Sequence, residues 1–219
     1  MSFVPTRFLV RIAHRCRFVK KIPAKSGDVI VDLPENCQID NQAALDDKTN
    51  FADVRLGWNE KGIGLQVVVT GKDQPAVGDA AKPKFSDGVT FWLDTRGDRT
   101  SHRASRSCHQ FYLLPTGGGA DKDEPYLVQL KINRAQADAP IANASQIPFR
   151  AHQTKSGYRI EAFFPASVLS GFDPEEHPRL GFYYCVRDSE FGEQVLSVGA
   201  EFPYTDDPSL WAVLDLIKE

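Results

Sequence analysis

One stretch of the chain concentrates side chains that can do chemistry. The segment DTRGDRTSHRASRSCHQF, residues 94–111, carries Arg96, Arg99, Arg103 and Arg106 together with His102 and His109. A guanidinium presents a planar fork of N–H donors that matches a carboxylate or a phosphate. Arg103, Arg106 and His102 are therefore candidates for holding an anion, such as the carboxylate of a uronate sugar. The alternative is a solvated loop whose arginines pair with neighbouring acids. His102, Cys108 and His109 are spaced by six residues and then one, which fits no common zinc pattern, and no metal is assigned. Asp94 and Asp98, four apart in a turn, could contribute to a calcium site, but a full set of oxygen ligands is not visible. Haem ligation of the Met/His kind has only Met1 to draw on. No cofactor is expected.

Catalytic patterns are missing. There is no G-x-S-x-G, no H-E-x-x-H, no P-loop and no C-x-x-C. A glycoside hydrolase needs two facing carboxylates roughly 5–10 Å apart, and no E-x-D-x-x-E strand motif supplies them. The formal net charge of -3 gives no global drive toward nucleic acid or an anionic membrane. No apolar run reaches the length needed to span a bilayer. No secretory signal with an apolar core is visible, which makes the cytoplasm the default compartment.

The elements that must position these residues read as strands. Val54, Leu56 and Trp58 alternate in 52–59, and Leu65, Val67 and Val69 alternate in 64–71. The turn at Asn59–Gly62 makes them a hairpin. In 87–95, Val89, Phe91 and Leu93 face one way, Thr90 and Trp92 the other. Further strand signals fall at 108–115, 124–132, 150–155, 158–165, 180–189, 193–198 and 211–217. At the N-terminus, Phe8, Val10, Ile12, His14, Cys16 and Phe18 alternate with a basic face carrying Arg7, Arg11, Arg15 and Arg17; a transit peptide is the other reading. Only 165–172, between Pro165 and Gly171, offers a helical turn. About ten short strands with almost no helix predict an all-β fold, an antiparallel β-sandwich of jelly-roll or immunoglobulin-like type with one short helix. At 219 residues, a single domain spanning 1–219 is the economical reading. Cys16, Cys37, Cys108 and Cys185 are far apart in sequence and read as free, buried thiols.

The run FADVRLGWNEKGIGLQVVVTGKDQP, followed by a Pro-rich loop and KFSDGVTFWLDT, resembles the family-nine carbohydrate-binding modules, a DOMON-like β-sandwich family. The similarity resumes at GYRIEAFFP (157–165), LGFYYCVRDSE (180–190) and DDPSLWAVLDL (206–216), in the family's order and over about two-thirds of the chain. Two departures stand out. The family's opening segment is not visible in residues 1–50, and an often acidic position of the central strand is Thr90 here.

The resemblance implies a non-catalytic module that clasps a polysaccharide or oligosaccharide, xylan or cellulose among them, between two loop aromatics. A pyranose presents an apolar C–H face to an aromatic ring, while its hydroxyls need polar partners. On this chain the clamp positions fall on Phe85, next to Lys84, and on Tyr204. Polar partners fall on Thr90, Tyr112, Arg187 and Asp188. Phe85 can also be read as a loop anchor on the core. Trp92 can be a stacking platform or the buried partner of the turn at 165–170. The implied partner is a carbohydrate, with a glycoside hydrolase or another protein as a possible companion. The alternatives are a structural or protein-interaction sandwich that has lost sugar binding, and a jelly-roll glycoside hydrolase.

Overall fold

The computed structural model describes residues 5–24, 29–46 and 48–218. Among them lie eleven strands: β1 (Ala13–Phe18), β2 (Ala52–Asn59), β3 (Gly62–Thr70), β4 (Gly88–Asp94), β5 (Cys108–Gly118), β6 (Glu124–Leu130), β7 (Phe149–Thr154), β8 (Gly157–Pro165), β9 (Arg179–Asp188), β10 (Gly192–Val195) and β11 (Ala212–Ile217). The expected short helix at 165–172 is a single 3-10 turn, Ala166–Val168. Pro165 and Gly171 bracket too few residues to close an α-helical ladder. No helix among the described residues is long and apolar enough to cross a membrane.

One continuous ladder runs β6-β5-β4-β9-β11-β1-β2-β3-β8-β7, with β10 sharing an edge of β9 with β11. The ladder bends over on itself, so β4 and β5 pack against β8. Phe164 of β8 meets Phe91 of β4 at 5.5 Å and Phe111 of β5 at 4.6 Å between ring centroids. Alternation explains the core. Val54, Leu56 and Trp58 pair with Val67, Leu65 and Ile63, and all six are buried. Directly opposed residues share a face, and two such faces close on one another.

The ladder is not wholly antiparallel. β1 runs parallel to both β11 and β2. Parallel neighbours need long connections, and β1 has them. It joins β2 through residues 19–51 and meets β11 from the other end of the chain. The expected N-terminal strand is also shorter than its alternation suggests. Thr6–Leu9 form a 3-10 turn, and Arg7, expected on a solvent face, is buried and paired to Glu201 at 2.7 Å.

Each outer face is treated differently. Outside β3 and β8, residues 22–24 and 29–37 contribute a lid in which Ile22, Val31, Leu33 and Cys37 pack with Phe163. Buried Glu161 fastens that lid by accepting the backbone N–H groups of Ile30 (2.7 Å) and Val31 (3.1 Å). Outside β4 and β9 the segment carrying Tyr204 lies over Trp92 and Tyr183. The four cysteines are free and buried. Burial raises the thiol pKa of each, to about 12 for Cys108 and Cys185, so they are poor nucleophiles.

Candidate functional site

The inner face of β4 is set by Val89, Phe91 and Leu93, so Gly88, Thr90, Trp92 and Asp94 face outward. Register then decides what joins them. Thr90 lies between Tyr112 of β5 and Cys185 of β9, Trp92 between Gln110 and Tyr183, and Gly88 beside Arg187. Arg187 lies opposite Glu193 of β10 and ion-pairs with it. Tyr112, Thr90 and Arg187, three of the expected polar partners, thus share one sheet face.

Asp188 does not. It is one residue from Arg187 on the same strand and therefore points the opposite way. Its carboxylate is buried and accepts from Lys72 Nζ at 2.6 Å and from the backbone N–H groups of Glu190 and Phe191. The same ammonium lies 3.6 Å from Asp87 and 3.8 Å from Glu190. Asp87 in turn accepts from Val77 N and from Ser189 N and Oγ. Asp188 belongs to a buried charge network that ties residues 72–87 to the β9–β10 hairpin.

The expected pair of facing rings is not the arrangement found. Phe85 closes a 3-10 turn, Pro83–Phe85, just before β4, and its side chain is 74% exposed beside exposed Lys84. Tyr204 is only 5% exposed. Its ring stacks on Tyr183 at 4.7 Å and meets Trp92 edge-on at 5.7 Å. The segment around it is pinned from outside: Phe202 stacks on Phe8 at 4.3 Å, Glu201 holds Arg7, and Trp211 Nε1 donates to Tyr204 O. Tyr204 therefore tiles the sheet instead of flanking a slot. Beneath it Trp92 is 2% exposed and packed on Tyr183 and Tyr204. Its indole N–H has no hydrogen-bond partner.

Half-buried Thr90 and Arg187 and exposed Glu193 form a polar strip, edged by buried Tyr112 and Gln110. Gln110 Nε2 donates to the Tyr112 hydroxyl at 2.6 Å. Burial raises the Tyr112 pKa above the usual phenol value, so the group is a neutral donor and acceptor. Glu193 and Gln110 escaped the sequence reading. Both were within reach of it, since Gln110 is two residues from Tyr112 and Glu193 is fixed opposite Arg187 by the tight turn ending at Gly192.

The expected anion group divides. His102 Nδ1 lies 2.9 Å from Asp207 and 3.1 Å from Ser209 Oγ, in a cleft shared with Arg103 and Arg134. Arg106 lines a separate cleft with Arg96 and Gln136. Between them Ala104 is buried and accepts from Gln136 N, which turns Arg103 and Arg106 apart. Asp94 and Asp98 spend their carboxylates on local turns: Asp94 Oδ1 accepts from Arg96 N and Ser107 Oγ, and Asp98 Oδ1 from Thr100.

Solved structures match this arrangement of strands. One is a family 9 carbohydrate binding module from Caldicellulosiruptor kristjanssonii in complex with cellotriose, with a TM-score of 0.61, 14% identity and 95% of each chain covered. Another is a family 9 module from the same organism in complex with glucose, with a TM-score of 0.55, 15% identity, and 94% of this chain and 96% of that one covered. The fold is that of the family 9 carbohydrate binding modules. No family model and no curated protein matches the chain. On this family 9 fold, Phe85, Thr90, Tyr112 and Arg187 occupy one loop and three adjacent strands at one end of an outer sheet face.

Proposed function

We propose that the chain is a non-catalytic carbohydrate-binding domain that holds sugar on the outer face of β5, β4 and β9. The observation that carries this reading is Phe85. A large apolar ring is held about three-quarters exposed at the end of a face whose neighbouring groups are polar. Phe85 supplies the stacking surface for a pyranose face. Arg187, Thr90, Tyr112 and Glu193 supply planar and hydroxyl partners for its hydroxyls. Structures of the same fold bind cellotriose and glucose, so β-glucans are the first ligands to try. In this reading the domain serves a glycoside hydrolase or another protein by holding it near polysaccharide.

With Tyr204 folded onto the sheet, stacking comes from one ring rather than two. One such contact contributes about 1 kcal/mol. Phe85→Ala is accordingly expected to weaken cello-oligosaccharide binding by about five- to tenfold in calorimetry, with little change in melting temperature. Tyr204→Ala, by contrast, is expected to cost about 3–5 kcal/mol of stability, because it uncovers Trp92 and Tyr183. No binding to a glycan array by the wild type would end the carbohydrate reading.

The burial of Tyr204 favours a second reading, a protein-interaction sandwich in which exposed Phe85 is an interface anchor. It predicts a Phe85-dependent protein partner and no glycan binding. Release of reducing sugar from polysaccharide is expected under neither reading.

A further inference from the structure

The sugar face leaves the arginine-rich segment at 94–111 unused. Two of its arginines, Arg96 and Arg106, line one open cleft of about 560 Å³, together with Ser105, Ser107, Gln136 and Ser170. That volume falls within the roughly 300–1,000 Å³ of small-ligand sites. The cleft lies beyond Asp94, the last residue of β4, whereas Phe85 stands before the first.

The charges of this cleft are unbalanced. Among the described residues no acid lines it. Asp94, two residues from Arg96, is buried, and its Oδ1 accepts from Arg96 N and from Ser107 Oγ. Arg7, Arg55, Arg159, Arg179 and Arg187 each have a carboxylate partner. Neither Arg96 nor Arg106 has one among the described residues, and both are exposed. Both nevertheless stand on fixed backbone. Arg96 crosses Gly171, where a Cβ would come 3.1 Å from its Nε, and its Nη1 donates to His177 Nε2. Arg106 sits in the turn closed by Cys108 N donating to Ser105 O at 3.0 Å. Gln136 is tied to the same turn, its N–H donating to Ala104 O at 2.8 Å.

We propose that this cleft is a second binding site, separate from the sugar face, for an acidic saccharide: a uronate carboxylate held by Arg96 and Arg106, with its hydroxyls meeting the Gln136 amide. A planar guanidinium fork matches a carboxylate. Walls of hydroxyls and an amide, with no aromatic ring among the described residues, suit a hydrophilic ligand and not an aromatic acid. The site does not depend on whether Phe85 binds sugar.

Calorimetric titration of the full chain with trigalacturonate and with inorganic phosphate tests it. Trigalacturonate should bind saturably and at least tenfold more tightly than inorganic phosphate, and added salt should weaken it, because exposed charges are screened. Phe85→Ala should bind it as wild type does, which separates this site from the sugar face. Arg96→Gln and Arg106→Gln should each lose tenfold or more, and Arg103→Gln, in the other cleft, should lose nothing. Arg106 has no side-chain partner to give up among the described residues, so Arg106→Gln should melt as wild type and tests the site even if Arg96→Gln, which gives up His177, melts lower. Retained affinity in Arg106→Gln, loss of binding in Phe85→Ala or Arg103→Gln, equal affinity for inorganic phosphate, or no saturable binding would overturn the assignment.

Discussion

Among single residues, Lys72 bears most directly on where the candidate site sits. Its ammonium is buried among Asp87, Asp188 and Glu190. Breaking a buried ion pair by removing one partner costs about 3–5 kcal/mol, because the remaining charge is left uncompensated. Here the buried carboxylates of Asp87 and Asp188 would be left beside Glu190 without the cation, though backbone N–H groups and Ser189 Oγ still donate to the two aspartates. Lys72→Met should lower stability by that amount in urea unfolding. It should also weaken glycan binding, since Asp87 anchors the segment that presents Phe85. A variant that unfolds like wild type would mean that the carboxylates are solvated and the network is not what holds that segment.

Two scales meet at Gly88, the first residue of β4. Its φ is +139, and a Cβ there would sit 2.3 Å from Leu113 O of the neighbouring strand. Gly88→Ala therefore cannot be absorbed by a flexible side chain; β4 must move off β5. A cost of more than about 1 kcal/mol is expected, read as a fall in the denaturation midpoint at unchanged slope. The strands themselves were legible from alternation and turn glycines, and the β2–β3 hairpin follows from Val54 to Val69 alone. The parallel docking of β1 was not, since nothing local tells a strand which distant edge it will meet. The exchange of roles between loop aromatics was equally hidden. Phe85 and Tyr204 are both loop aromatics in sequence, and only the contacts of their neighbours Phe202 and Glu201 with Phe8 and Arg7 decide which ring turns inward. Asp188 was different. Its separation from Arg187 follows from strand period alone, and a stricter use of alternation would have removed it from the site.

For the molecule as a whole, acid sensitivity follows from two buried histidines on different strands. His14 of β1 packs edge-on against Phe182 at 5.3 Å, and His109 of β5 stacks with Phe111 at 5.9 Å. Burial pushes both pKa values down to about 4 from 6.5. Gln129 fixes the state of His109: its Oε1 accepts from Ala142 N and its Nε2 donates to Pro140 O, so the same Nε2 meets His109 Nδ1 as a donor at 3.2 Å. A second proton on that ring would set N–H against N–H. Because the folded pKa lies below the unfolded one, the unfolded chain binds more protons between pH 6.5 and about 4. Stability is then complete above pH 6.5 and is lost as pH falls toward 4, by about 3 kcal/mol for each histidine. Asp94, whose carboxyl is raised by burial, works in the opposite sense from pH 3.8 upward and trims the effect. Urea midpoints measured at half-unit steps from pH 7.5 to 4 should fall across this window. His109→Leu keeps an apolar side chain against Phe111 and leaves Gln129 its two backbone partners, so its curve should be shallower by about half. If wild type and His109→Leu lose stability equally steeply, His109 takes up its proton in the fold as readily as in the unfolded chain and contributes nothing to the acid response.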